Sequence, residues 1–506
     1  MRRLAVRPAP LALPRQPLGR AAAWPWPWVL LWLAVGGVTA ALVRVAGPAV
    51  LDPDEHAATR YFQLLVHRQR LGELVLSAPK PLLTVVDGVA WTLTHDWRAV
   101  TAVTVAAFAL AVVTLARAAA RLAGPLVAAA VVVGLASSAA LVLQVARGNS
   151  VIWALAGWGV AADALARRRR RWGVAGVALL LASLARAESW LLLPPVAALA
   201  LLGWRRGERR ALLLLLPLSA PLLWFGHDVA LSGDALYSLR VPERYSDLIS
   251  GRQAIPPGRW LALLGRRYGR SPLLDVLAAA GVAWLLRRRA WPWLVGLGAL
   301  TIGLLALLGV DAWHGTYISY RYFDPADAGV RVLAAFGSAW LWPLTRTARH
   351  PAGATRRAAG GAAALALMVA ACWPLAPADQ SVRATLARGE ALSRNAASAI
   401  RVLRPLAAAP GTVLAVSGPQ RLRVAVELGL PLGRVRDLLV ATQTQPLDRA
   451  LRGSDAVFHD TAGDQPAARF APLTLAAPGR VGALLATPLL ADPGRGLYVL
   501  RLRPAR

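Results

Sequence analysis

The chemistry this chain can offer is concentrated in short polar stretches at the ends of apolar runs. The first stretch reads Asp52-Pro53-Asp54-Glu55-His56, and Ala78-Pro79-Lys80-Pro81 follows it. Later ones are Arg147-Gly148-Asn149-Ser150, Arg186-Ala187-Glu188, and a run from Asp311 to Asp324 that holds His314, Tyr317, Tyr320, Arg321 and Tyr322. A carboxylate in such a place can orient or deprotonate a hydroxyl, and an ammonium or guanidinium can neutralise an oxyanion. Ionisable groups at membrane level are costly, which makes them candidates for function. Lys80 stands apart, as the one lysine among 57 basic residues. A bulk preference for arginine explains the other positions but not this one.

Each residue also has a structural reading. Asp54 and Glu55 fit solvated turn positions after a proline. Lys80 fits an interfacial side chain that snorkels to water. Arg186 and Glu188 fit an ion pair closing a tight turn, and Asp324-Pro325 fits a helix start. Asp87 and Asp163 fit positions facing a helix bundle or headgroups. The histidines lack metal-ligand spacing, and there is no phosphate-binding glycine loop or nucleophile elbow, so no motif calls for a metal or a cofactor.

The elements that must position these groups are membrane helices. Of 506 residues 57% are apolar, and the mean hydropathy is +0.48, with repeated runs near the roughly 20 residues a span requires. The net charge of +31 resembles a nucleic-acid footprint, but the arginines fall in clusters between apolar runs, the pattern of topology signals. Cys372 is the single cysteine, so no intrachain disulfide forms. Spans are predicted near 24–44, 99–116, 124–143, 150–166, 172–187, 189–204, 211–226, 272–286, 290–310, 329–344 and 359–376. With about eleven spans and a cytoplasmic tail over 1–23, the clusters at Arg2–Arg20, Arg117/Arg121, Arg167–Arg171, Arg205–Arg210, Arg287–Arg289 and Arg346–Arg357 all fall on the cytoplasmic side.

Two choices produce that agreement. Pro81–Thr94 is read as a helix lying at the outer interface within the first outer loop, 45–98. The region 172–204 is split into two short helices at Arg186-Ala187-Glu188. One tension remains: loop 227–271 falls outside yet is rich in arginine, including Arg240, Arg259, Arg266 and Arg267. After the transmembrane domain, 24–376, the character changes. Residues 377–506 read as a small extracytoplasmic α/β domain, with helix at 380–409, a β run at Thr412–Ser417, a turn at Gly418-Pro419, helix at Gln420–Leu428, and strands at Asp455–His459 and Leu497–Leu502.

The order of these pieces resembles the GT-C class of membrane glycosyltransferases, most of all the branch holding the aminoarabinose transferases and protein O-mannosyltransferases. That branch has Asp-Glu-x-x-Tyr and then Lys-Pro-Pro in its first outer loop; here stand Asp54-Glu55, with Tyr61 displaced, and Lys80-Pro81-Leu82. Its late Arg-Tyr-x-x-Pro is similar to Arg321-Tyr322-Phe323-Asp324-Pro325. Asn149 stands where the family usually carries an aspartate. The resemblance covers about residues 24–345.

The resemblance implies a multi-pass protein of the bacterial cytoplasmic membrane that transfers a sugar from a polyprenyl-phosphate donor to a lipid, glycan or protein acceptor at the outer face, with inversion. It implies Asp54 as the catalytic carboxylate and Glu55 as its helper. Lys80 and then Arg321 would stabilise the phosphate leaving group, with Tyr322, Asn149 and Glu188 lining the substrate. Membrane lipids are expected partners and nucleic acid is not. Two other classes stay open: a transporter or flippase of lipid-linked sugars, and a non-catalytic envelope assembly protein presenting its C-terminal domain.

Overall fold

The structure is a computed structural model. It describes residues 26–45, 53–71, 75, 77–247, 254–269, 271–316, 318, 320–341, 362–363, 365–372, 380–417, 420–461 and 470–505. The N-terminal tail and the Gly418-Pro419 turn lie outside the described residues.

The first four helices are α1 (Trp26–Val45), α2 (Pro53–Val66), α3 (Pro81–Thr94) and α4 (Trp97–Ala123). Next come α5 (Pro125–Ala136), α6 (Ala139–Ala146), α7 (Ser150–Leu165), α8 (Trp172–Ala185) and α9 (Leu193–Arg205). They are followed by α10 (Ala220–Ser232), α11 (Tyr237–Tyr245), α12 (Pro257–Tyr268) and α13 (Pro272–Arg287). The last of the bundle are α14 (Trp291–Gly298), α15 (Leu304–Trp313) and α16 (Asp324–Gly337), with further helix within 362–372. The predicted apolar segments are helical over most of their described parts, but 124–143 is two helices broken at Ser137-Ser138, and 172–187 stops being helical at Arg186. Among the described residues, four helical stretches are long and apolar enough by themselves to cross a membrane: Trp97–Ala123, Ala187–Arg205, Arg209–Ser232 and Trp291–Trp313. Two bent pairs raise the count to six, one being α5 with α6, bent by 60°. The chain is a multi-pass helical membrane protein with a small sheet-containing C-terminal region.

Breaks in the apolar runs have local causes. Arg186 is extended, with φ −148° and ψ 130°, and ends α8 before a 3₁₀ turn at Ala187–Leu192. The chain then runs back: a Cβ at Gly203, near the end of α9, would lie 3.7 Å from the Trp172 ring at the start of α8. The split at Arg186-Ala187-Glu188 is therefore a hairpin. Close helix contact depends on glycine elsewhere too. Cβ atoms at Gly281 and Gly337 would meet the Leu333 and Leu277 carbonyls at 1.9 and 2.0 Å, so α13 and α16 pack backbone to backbone.

Helix α3 is amphipathic in packing. Leu83, Thr84, Asp87, Gly88, Ala90 and Trp91 are buried, whereas Val85, Val89 and Leu93 are exposed. Gly88 faces α2, where a Cβ would overlap the Phe62 side chain at 2.2 Å.

The C-terminal region contains the long helix α17 (Gln380–Ala407) and a six-stranded sheet. Its strands are β1 (Leu414–Ser417), β2 (Val435–Asp437), β3 (Ala456–Asp460), β4 (Gly479–Val481), β5 (Leu484–Asp492) and β6 (Leu497–Pro504), in the order β2-β1-β3-β6-β5-β4. Strands β1, β2 and β3 are parallel; β6, β5 and β4 continue antiparallel. Helix α18 (Arg421–Leu428) crosses from β1 to β2. Its buried Leu422 and Ala425 share a core with Ala57, Tyr61 and Leu64 of α2. The C-terminal region thus packs directly on the helix that begins with Pro53-Asp54-Glu55.

Candidate active site

Helix α2 starts where Pro53 fixes φ and removes a donor the helix would not use. This leaves Asp54 in the first turn, near the aqueous end of the bundle. Oδ1 of Asp54 accepts a 2.6 Å bond from the Ser77 hydroxyl, and Oδ2 accepts a 2.7 Å bond from Lys80 Nζ. Arg321 Nη1 stands 3.0 Å from the same Oδ2. The lone lysine, the first-loop aspartate and the late arginine, from three distant parts of the sequence, therefore form one ion cluster. Burial alone would raise the Asp54 carboxyl, but Arg321 and Lys80, with the bonds from Lys80 and Ser77, outweigh it and hold the carboxyl well below the usual carboxylate range.

The segment carrying Ser77 and Lys80 is held from outside. Tyr61 on α2 donates its hydroxyl to the Ser77 carbonyl at 2.6 Å. The Tyr237 hydroxyl, on α11, accepts from the Val75 N–H and donates to its carbonyl, both at 3.1 Å. The Ser238 hydroxyl shares its proton between Asp228 Oδ1 at 2.7 Å and the Pro79 carbonyl at 3.2 Å. Pro81 then opens α3 as its first residue, with Lys80 extended at the cap. A strap of chain with no regular structure is thus made rigid by two phenols and a hydroxyl. Tyr61, displaced from its expected motif position, serves this strap.

Arg321 sits in the 3₁₀ turn Tyr320–Phe323 that leads into α16. The turn is anchored by Phe323, which stacks on Trp260 of α12 at 5.6 Å between ring centroids. Arg267 covers the Phe323 ring, 4.6 Å from its centroid, and pairs with Asp327 at 2.5 Å. Arg240 pairs with Asp234 at 2.6 Å. Two arginines of the segment 227–271 thus have carboxylate partners within the chain.

Tyr322 links the cluster to a second one. Its ring lies 5.7 Å from the guanidinium carbon of Arg321 and 5.8 Å from that of Arg186. Arg186 forms an ion pair with Glu188 and donates to Asn149 Oδ1 at 3.4 Å. Asn149 also caps α7 through the Val151 N–H at 3.1 Å, and its Nδ2 is buried without a partner. Glu55, the next residue after Asp54 and so about 100° further round the helix, is fully buried. The structure therefore brings Asp54, Lys80, Arg321 and Tyr322 together. Glu188 and Asn149 stand in the adjoining cluster, where Glu188 closes the hairpin turn with Arg186.

Ser77 escaped the sequence reading, since a serine three residues before a lysine carries no signal by itself. Arg186 appeared there only as the partner of Glu188. Among the described residues no group of three or more histidine, cysteine or acidic side chains could hold a metal ion.

Arg117, Arg121 and Arg167 gather at the far end of α4 and α7. Asp163, near the end of α7, receives Arg117 at 3.7 Å, Arg167 at 3.1 Å, and Arg121. On α4, Trp97 donates its indole N–H to Glu427 of α18 at 2.9 Å, while Arg117 lies 20 residues, or about 30 Å, further along the helix. That is roughly the hydrocarbon thickness of a bilayer.

No model of a known protein family matches the chain, and no curated protein sequence matches it. Solved structures do. The apo structure of ArnT from Cupriavidus metallidurans is similar at TM-score 0.54 and 15% identity, covering 94% of this chain and 98% of that one. ArnT bound to undecaprenyl phosphate is similar at TM-score 0.54 and 14% identity, with the same coverage. The archaeal oligosaccharyltransferase AglB from Archaeoglobus fulgidus, in complex with an inhibitory peptide and a dolichol-phosphate, is similar at TM-score 0.51 and 11% identity, over 87% of this chain and 70% of that one. This chain has the fold of GT-C membrane glycosyltransferases. Of its structural neighbours, the aminoarabinose transferase is of the branch that the sequence resembles, and the oligosaccharyltransferase is a further one.

Proposed function

We propose that the protein is a GT-C glycosyltransferase that moves a sugar from a polyprenyl-phosphate donor to an acceptor hydroxyl at the outer face of the cytoplasmic membrane. The observation that carries this reading is the ion cluster of Asp54, Lys80 and Arg321 at the end of the bundle remote from Arg117, Arg121 and Arg167. The eleven-span topology, the domain limits and the extracytoplasmic side of the C-terminal region belong to the same reading. Nucleotide sugars are made in the cytoplasm, so a donor used at the outer face is carried by a lipid. The undecaprenyl phosphate and dolichol-phosphate bound by the neighbouring proteins support a ligand of that kind.

The chemistry follows from the cluster. The acceptor oxygen attacks the anomeric carbon while the bond from that carbon to the phosphate oxygen breaks. The electron pair leaves with polyprenyl phosphate, and configuration inverts. Lys80 and Arg321 receive the charge developing on the phosphate. Asp54 orients the acceptor hydroxyl and takes its proton. A carboxylate held by two cations is a weak base; a donor phosphate that draws Lys80 and Arg321 to itself frees Asp54 to act. Tyr322 keeps Arg321 in place, and Asn149, Arg186 and Glu188 line the neighbouring side.

The test is reconstitution in lipid nanodiscs with a panel of polyprenyl-phosphate sugars. A transferase releases polyprenyl phosphate and glycosylates an acceptor. Movement of the labelled lipid across vesicle membranes with its sugar bond intact would instead make the protein a flippase.

A further inference from the structure

A groove of about 590 Å³ opens beside the second half of α2, between that helix, the end of α3 and the turn after α18. Arg60 of α2, His67 in the turn that follows it, Trp91 and His95 at the end of α3, and Gly429 of the C-terminal region are among its walls. Among the described residues, none that lines it is acidic. Arg60 is 8% exposed, so its guanidinium is largely withdrawn from water. Its Nη1 donates to the neutral Gln63 amide at 3.0 Å, and its Nε has no partner. Among the described residues no carboxylate pairs with it. A buried cation without a counter-charge is unfavourable unless something supplies one. His67 and His95 stand exposed on the rim, and Trp91, stacked on Trp97 at 4.0 Å, forms an apolar wall.

We propose that this groove is a second anion site, binding the phosphate or carboxylate of a saccharide, with Arg60 as its principal ligand. The ion cluster around Asp54 is separate from it. Arg60 lies six residues beyond Asp54 on the same helix, about 9 Å along the axis. The two also stand about 120° apart around α2, so a charged oligosaccharide that engages both must pass round the helix. Taking that saccharide as the acceptor rests on the transferase reading; the anion site itself does not. The groove's third wall is the C-terminal region, which gives that region a part in recognition.

The experiment is calorimetric titration of the full-length protein in detergent, without donor, using inorganic phosphate, glucuronate and neutral glucose as probes. Binding is scored as the difference between wild type and Thr92→Trp, which fills the groove and leaves the Asp54 cluster untouched. Thr92 lines the groove and is exposed. The expected result is that phosphate or glucuronate binds while glucose does not. Thr92→Trp and Arg60→Gln should each weaken binding by about tenfold or more, the worth of a charge-assisted hydrogen bond. The stronger of the two anions identifies the source of the charge. Equal binding by wild type and Thr92→Trp, or glucose binding as well as glucuronate, would overturn the proposal. Should Arg60→Gln not fold, the Thr92→Trp comparison decides alone. Anion binding in a protein that shows no transfer would leave the groove standing and remove only the acceptor assignment.

Discussion

The indole of Trp97 and the carboxylate of Glu427 share a 2.9 Å hydrogen bond across 330 positions of sequence. The bond ties the start of a membrane helix to the C-terminal sheet region. His56, two residues after Asp54, meets the Trp97 ring edge to face at 4.5 Å between centroids. Arg423 completes the set by donating to Glu427 at 2.6 Å. The helix bearing the candidate catalytic carboxylate is thus wedged between the bundle and the C-terminal region.

Glu427→Ala removes an acceptor shared by two donors and leaves Arg423 buried beside an unpaired indole. The expected cost is about 2 kcal/mol, read as a lower unfolding midpoint in detergent. Transfer should fall with it because α2 loosens. An unchanged midpoint would show that the apolar contact of α2 with α18 suffices alone.

Asp54→Asn keeps the shape of the side chain and removes its charge. Transfer should drop by about two to four orders of magnitude, with membrane insertion and expression unaffected. Wild-type turnover in this variant would remove Asp54 from the chemistry.

Lys80→Ala deletes one of the two cations expected to meet the donor phosphate. The Michaelis constant for the polyprenyl-phosphate donor should rise about tenfold or more, while Lys80→Arg recovers part of the loss. Unchanged donor dependence would return Lys80 to the role of an interfacial side chain.

The pH dependence of stability follows from the depressed Asp54 carboxyl. The native state binds fewer protons there than the unfolded chain, whose carboxyl titrates near 3.8. The stabilisation is fully present above that value and is lost as pH falls below it towards the native pKa. In Lys80→Met/Arg321→Met the cations are gone, burial raises the carboxyl, and the contribution disappears. Unfolding midpoints measured from pH 3 to 7 should show a weaker acid-side decline for the double variant. Parallel curves would contradict the cluster.

Gly337→Ala places a methyl group 2.0 Å from the Leu277 carbonyl. Helices α13 and α16 must then separate, at a cost of about 1–3 kcal/mol. Because α16 follows directly on the turn carrying Arg321, activity should fall as well as stability. Full activity with an unchanged midpoint would show that the helix pair has slack.

The parts of this structure legible in the sequence were those set by local chemistry. Pro81 after Lys80 marks a helix start, and α3 runs over the predicted Pro81–Thr94. The polar triplet at Arg186 breaks an apolar run because its charges cannot stay in lipid. The strands β1, β3 and β6 are short apolar runs beside turn residues, which sequence reveals. Strands β2, β4 and β5 escaped notice. β2 is three residues long, and β5 is half-exposed and interrupted by Pro488, so both depend on long-range pairing. The contacts of Ser77, Tyr61 and Tyr237 around the strap were illegible for the same reason: nothing near them in sequence announces a partner 16 or 162 residues away.

Helix α3 is capped by Lys80 and turns Val85, Val89 and Leu93 outward. An ammonium at one end of a helix whose outer flank is greasy marks a place where water and oil meet. A transferase of the proposed kind, sited at such a seam, would meet its lipid-borne donor as molecules per unit area, and diluting the surrounding medium would leave its rate untouched. Diluting the membrane with inert lipid would slow it.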